Sequence, residues 1–474
     1  MSVSTNIKSI RDTMRKDAGV DGDAQRISQM VWMLFLKIFA DKEQEWELVM
    51  DEYQSPIPEE FKWQNWAADE EGLTGEELME FINNRLFPAL KELKNNFSPQ
   101  ARIIRSVFED TYNYMKNGTL FRQVINKINE IDFNSSSESH LFNDIYETIL
   151  RELQSAKSSG EFYTPRAVTQ FMTDIIDPQL GETVLDPACG TGGFLTCSID
   201  HVRKQVSTVK DREVLQSAIR GVEKKPFPHL LCTTNLMLHG FDLPSVTRGN
   251  FLNKAYSDWG ANDRVDVILS NPPFGGEEPD GTETNFPKKF RTKETADLFL
   301  ALIIRLLKPN GRAAVVLPDG TLFGEGVKTR IKEELLEKCN LHTIVRLPKN
   351  VFNPVSIRTN LLFFDKGSPT KEVWYYEHPY PEGQKSYNKS KPININEFDA
   401  EKTWWNNREE NKYAWKVSIE QIRERGYNLD IKNPYQEVNE LASPAELLEN
   451  YRVTESKISS TQDKIINVLN EALK

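Results

Sequence analysis

Asn271-Pro272-Pro273-Phe274 is the stretch whose chemistry is most specific, because it follows directly on an apolar run at 265–269. Two prolines cannot extend a central strand, so the chain must turn out of its sheet there, and the turn is stiff. The Asn271 side-chain carbonyl and the Pro272 backbone carbonyl then offer two acceptors at one place. A planar primary amine that attacks a methyl sulfonium needs such a pair for its two hydrogens, and needs to be held in line with the methyl group. Phe274 adds a flat face on which an extruded base can stack. The bland alternative is a structural turn. Carbonyl acceptors and a sulfonium leaving group suffice without a strong base, so no catalytic His or Cys is expected.

A second element is Val184-Leu185-Asp186-Pro187-Ala188-Cys189-Gly190-Thr191-Gly192-Gly193-Phe194, a strand that runs into a glycine turn and then an apolar helix. Glycines at 190, 192 and 193 let a ligand approach the backbone closely. No GK[ST] follows, and GxGxxG is absent, so neither a P-loop nor a dinucleotide turn is indicated. Gly221-Val222-Glu223 ends the next β run with a carboxylate placed to accept from ribose hydroxyls, although it lies farther along than the usual spacing of about 20 residues. An extra helical segment must therefore intervene. Upstream, Gly160-Glu161-Phe162-Tyr163-Thr164-Pro165-Arg166 precedes a helix and suits a lid over the ligand.

These residues need a scaffold that presents them together. From about residue 160, β-rich runs at 183–185, 218–222, 265–269, 312–317, 342–346 and 360–364 alternate with helical ones, which predicts a parallel sheet covered by helices on both faces. Ligands in that architecture sit at the carboxyl ends of the strands. The Asn271 turn and the 190–193 bend must then face one another at the same end. Before this region the chain reads as helical, with Ile27, Met30, Val31, Leu34, Phe35 and Ile38, and later Leu120, Phe121, Val124, Ile125 and Ile128, at helical spacing. After about Lys366 the alternation fades, and a last helix is signalled by Ser443, Pro444 and Glu446 as cap, first residue and capping-box partner. Tyr451, Ile458 and Ile465 recur along it every seven residues, a pattern that suits docking on a partner or on the body of the protein. The expected division is 1–158, 159–385 and 386–474. The acidic, glycine-containing stretch 277–286 suggests a mobile loop beside the cleft.

The composition narrows the setting. The 474 residues are 27% charged and 39% hydrophobic, values of a globular chain, and no uncharged apolar run approaches the length of a membrane span. No secretory signal opens the chain, so the cytoplasm is expected. Four cysteines without CxxC spacing indicate neither a disulfide framework nor a metal site. The net charge is −11, so a nucleic-acid ligand requires its basic residues to be gathered in one cleft or supplied by a partner.

Taken together, GEFYTPRAV, DPACGTGGFL and NPPFGG resemble the modification subunits of type I restriction-modification systems, within the amino-methyltransferases of DNA. Phe35-Leu36-Lys37, the block at 347–364 and the terminal helix are similar to that family as well, so the resemblance covers most of the chain. It implies a Rossmann-like α/β fold, a seven-stranded S-adenosylmethionine-dependent methyltransferase sheet with an N-terminal helical domain and a C-terminal helical tail. The FYTP element precedes the glycine turn, the order of the gamma class of adenine-specific enzymes. The resemblance implies cofactor contacts from Glu161, Phe162, Tyr163, Thr164, Pro165 and Arg166, from Asp186, Pro187, Ala188, Gly190, Thr191, Gly192 and Gly193, and from Glu223 at the ribose. Asn250 stands where the family often has an acid near the cofactor's adenine. Asn271, Pro272 and Phe274 would hold the adenine to be methylated. The implied partners are double-stranded DNA, one specificity subunit flanked by two modification subunits, and a restriction subunit. The alternatives are an amino-methyltransferase of RNA or of a protein glutamine, and a non-catalytic scaffold.

Overall fold

The computed structural model describes residues 3–50, 52–93, 98–131, 133, 163–352, 356–388, 390–435, 448, 451–456, 458–462 and 465–466. The expected boundary at 158, Glu161 and Phe162 of the upstream loop, and Ser443, Pro444 and Glu446 of the last helix's start lie outside these residues.

The amino-terminal region is helical and built round Gly22–Val49. Residues 30–36, 38 and 39 of that helix are all buried. A helix apolar on every side belongs at the centre of a bundle rather than on its surface. Trp32 packs against the rings of Phe87, Phe108 and Phe121. The second expected helix is Gly118–Asn129, started by the Asn117 side chain, which accepts from the amides of Thr119 and Leu120.

Among the described residues nine strands follow in one sheet: β1 (Val184–Asp186), β2 (Ile219–Glu223), β3 (Ser245–Arg248), β4 (Val265–Ser270), β5 (Leu307–Pro318), β6 (Cys339–Arg346), β7 (Thr359–Lys366), β8 (Glu372–Glu377) and β9 (Ala414–Ser418). Their order is β3-β2-β1-β4-β5-β7-β6-β8-β9. The first five in that order pair in parallel, and β7 runs antiparallel between β5 and β6. The six runs read from the sequence are β1, β2, β4, β5, β6 and β7; with β3, β8 and β9 the sheet has nine strands among the described residues rather than the seven expected. β9, within the expected carboxyl-terminal extension, pairs antiparallel with β8 and so joins the sheet.

The helix Pro226–Leu238 joins the two regions. Leu230, Leu231, Met237 and Leu238 belong to the amino-terminal core, whereas Cys232 and Leu236 belong to the core against the sheet. Ion pairs frame this seam: Lys42 Nζ lies 2.8 Å from Asp242, and Arg248 pairs with Glu109 and Asp110. His229, buried in the seam, has its pKa pushed down by desolvation to about 4 and is neutral at physiological pH.

Candidate active site

Strand register gathers the chemical residues at one edge. β1 lies between β2 and β4, with Leu185 level with Ile268 and Asp186 level with Gly221. The glycine turn, Glu223 and Asn271 therefore leave neighbouring strands at the same carboxyl end. Ser270, the last residue of β4 and fully buried, donates to Asp186 Oδ1 at 2.8 Å and so ties the two turns together.

Asp186 is itself buried, and desolvation pushes its pKa up to about 7, helped by the nearby charge of Glu223; the hydrogen bonds from Ser270 and the Ala188 amide oppose the shift. Glu223 is fixed by two backbone donors, Gly190 N to Oε2 at 2.9 Å and Lys225 N to Oε1 at 2.7 Å.

The glycines serve different ends. Gly190 has φ +53°, and a Cβ there would meet nothing within 4 Å, so its outer side borders open space where a ligand can lie against the backbone. At Gly192, φ +84°, a Cβ would stand 2.8 Å from Cys232 Sγ, so packing of the helix Pro226–Leu238 demands glycine there. The Thr191 carbonyl accepts from Asn235 Nδ2 of the same helix at 3.1 Å.

Asn271 is oriented for acceptance. Its Nδ2 donates to Thr164 Oγ1 at 3.0 Å, while its buried Oδ1 has no partner. A buried carbonyl left without a donor costs free energy unless a ligand supplies one, and an amino group is such a donor. Phe274 is 6% exposed, with its ring 6.5 Å from that of Phe352 and nearly perpendicular to it. A cavity of about 260 Å³ opens on Phe274, Gly275, Thr295, Thr321 and Lys328.

The described residues of the upstream loop face three ways. Tyr163 packs on the amino-terminal core, and Thr164 meets Asn271. Pro165 starts the helix Arg166–Ile176, and Arg166 binds Thr196 and Asp200 of the helix Gly193–Arg203 at 2.6 and 3.0 Å. Asn250 caps its own turn by accepting from Leu252 N, and its Nδ2 donates to Glu278 at 2.7 Å.

Glu278, Ser270 and Phe352 are not among the residues singled out from the sequence. Ser270 carries a readable signal, a lone polar residue at the end of an apolar central strand. Glu278 carries none: it is one of two adjacent glutamates in a Gly/Pro/Asp-rich stretch. It is nonetheless buried, and it accepts from Lys224, Asn250 and Thr295. The stretch expected to be mobile is thus pinned, further along by buried Phe286 and Phe290 packed on Tyr256.

Among the described residues, no helix is long and apolar enough to cross a membrane and no group of three or more metal-ligating side chains converges. The four cysteines are buried and unbridged.

Comparison with known proteins gives these features a family. The N-6 DNA methylase model matches residues 137–442, and the HsdM N-terminal domain model matches 3–128. The EcoEI methylase subunit of a type I restriction enzyme from Escherichia coli is 59% identical over 100% of this chain and 99% of its own length. A modification subunit of a putative type I restriction enzyme from Vibrio vulnificus YJ016 superposes with TM-score 0.83 at 48% identity, covering 92% of this chain and 98% of that one. A chain solved in work on assembly and conformational transition of the type I R-M system gives TM-score 0.83 at 35% identity, over 99% and 98% of the two chains. The helical amino-terminal region, the sheet with its facing turns and these full-length likenesses agree: the chain belongs to the N-6 DNA methylases and, within them, to the methylase subunits of type I restriction enzymes.

Proposed function

We propose that this chain methylates N6 of an adenine extruded from double-stranded DNA, using S-adenosylmethionine, as the modification subunit of a cytoplasmic complex. In that complex two copies flank one specificity subunit and a restriction subunit joins. The observation that carries the reading is the pairing of Asn271, whose buried Oδ1 lacks a donor, with a glycine turn that borders open space on the neighbouring strand.

Asp186, Pro187, Ala188, Gly190, Thr191, Gly192, Gly193, Glu223 and Asn250 would hold the cofactor, which supplies a methyl group on a sulfonium. The carboxylates of Asp186 and Glu223 suit a cationic, hydroxyl-bearing ligand. Thr164, which meets Asn271, would bound the same cleft together with its neighbours Tyr163, Pro165 and Arg166. The work of the protein at the other end is to accept and orient. Asn271 Oδ1 and the Pro272 carbonyl take the two amine hydrogens, which raises electron density on the nitrogen and aligns its lone pair with the methyl carbon. Phe274 supplies the stacking face for the flipped base. Sequence reading and most of the positive charge would come from the specificity subunit.

The test is transfer of labelled methyl groups by the co-purified modification–specificity complex, offered DNA, RNA and protein, followed by mapping of N6-methyladenine. Label on DNA adenines alone is expected; label on RNA or on protein glutamine would replace the proposal.

A further inference from the structure

The Asn271 amide is gripped from one side only. Its Nδ2 donates to Thr164 Oγ1 at 3.0 Å, across 107 positions of sequence, and its buried Oδ1 is unpartnered. The last torsion of an asparagine is soft and roughly two-fold, so a side chain without an anchor samples planes in which the NH2, not the oxygen, faces the base. An NH2 there would oppose the amine of adenine donor to donor. Thr164 is well placed to prevent this because it lies outside the Asn271 turn, on a separate element. It sits one residue before Pro165 and the helix Arg166–Ile176, which is itself locked to the helix after the glycine turn by Arg166 on Thr196 and Asp200.

We propose that Thr164 is a positioning residue for transfer: its hydroxyl holds the Asn271 amide so that Oδ1 faces the amine of the target base. This rests on the reading of Asn271 given above and assigns the threonine of the upstream loop to the base end of the cleft. The grip is indirect, so Thr164 touches neither the base nor the methyl donor in this role.

Thr164→Val keeps the side-chain shape and removes the hydroxyl, whereas Thr164→Ser keeps the hydroxyl. Both are to be measured in the full modification–specificity complex at saturating DNA and cofactor. Thr164→Val should lower kcat about ten- to a hundredfold, the worth of one well-placed buried hydrogen bond, and leave the calorimetric Kd for S-adenosylmethionine unchanged. Thr164→Ser should recover kcat to within a few-fold. Full kcat in Thr164→Val overturns the assignment, as does a Thr164→Ser variant equally slow. A loss of cofactor affinity that accounts for the loss of kcat/KM would make Thr164 a cofactor contact instead. If Asn271→Ala itself retains full activity, the reading of Asn271 fails first; an inactive Asn271→Ala beside a normal Thr164→Val removes this inference alone.

Discussion

Asn271 and Asp186 divide the labour of the site between a neutral acceptor and an ionisable one, and each makes a separate prediction. Removing the Asn271 amide takes away the carbonyl that no other described side chain replaces. Asn271→Ala should therefore slow transfer by at least about a hundredfold, as loss of a positioned hydrogen-bonding group in an active site does, while calorimetric cofactor binding stays near the parent value. Asp186 titrates at about 7 because burial disfavours its charge. A cationic ligand favours the carboxylate, so affinity for S-adenosylmethionine should rise as pH increases from 6 to 8, with proton release on binding below about pH 7. For the ligand-free fold the sign is opposite. A carboxyl group whose folded pKa is raised stabilises the fold least once ionised, so stability should fall as pH climbs from about 4 to 7. Asp186→Asn should flatten both profiles; an unchanged binding profile would mean the group does not meet the ligand's charge. Legibility in the sequence follows the same chemistry. Asn271 could be read because two prolines after an apolar strand leave few alternatives. The contact between Thr164 and Asn271 could not be read, since 107 intervening positions hide which element the threonine touches.

At the scale of elements, the glycine turn proposed to cradle the cofactor depends on helix packing as much as on its own glycines. Gly192 combines a left-handed φ with contact on Cys232 of the helix Pro226–Leu238. Gly192→Ala should cost about 1–2 kcal/mol from backbone conformation and about 1–3 kcal/mol from overpacking, read by chemical denaturation, and should weaken cofactor binding in parallel. Gly192→Ala with Cys232→Ala should recover the second part and not the first. The sequence predicted six strands because their runs are mostly apolar and β-rich, β7 among them although it runs antiparallel. It missed β3, whose residues alternate between exposed and half-buried at the sheet's edge, and β8 and β9, where Trp374, Tyr375, Tyr376 and Trp415 sit amid charged neighbours. The pinned loop after Phe274 was hidden for a related reason. Its composition is that of a solvated turn, and only the fold brings Glu278 onto Asn250 and Lys224. Glu278→Ala should free that segment and raise its proteolytic susceptibility near residues 277–286.

For the whole molecule, the acidic balance and the last helix make one argument. The chain carries −11, so the counterion release that drives DNA association needs basic residues gathered in one cleft or supplied by a partner. The described part of the last helix leaves Leu448, Tyr451, Ile458 and Ile465 exposed, at 54–66% of their full surface. Large apolar side chains at seven-residue spacing form a stripe that gains free energy only when another helix covers it. If that cover is the specificity subunit, Tyr451→Ser with Ile458→Ser and Ile465→Ser should leave folding and cofactor binding of the isolated chain intact, because nothing in its own core is touched. Co-purification with the specificity subunit should be lost, and with it sequence-specific binding of DNA at physiological salt. The isolated parent chain should show the same phenotype toward DNA: cofactor bound, duplex held weakly and without preference for sequence. Retention of a stable complex by the triple variant would move the docking surface off this helix. Tight, sequence-selective binding by the parent chain alone would show that the positive charge and the base reading reside here after all.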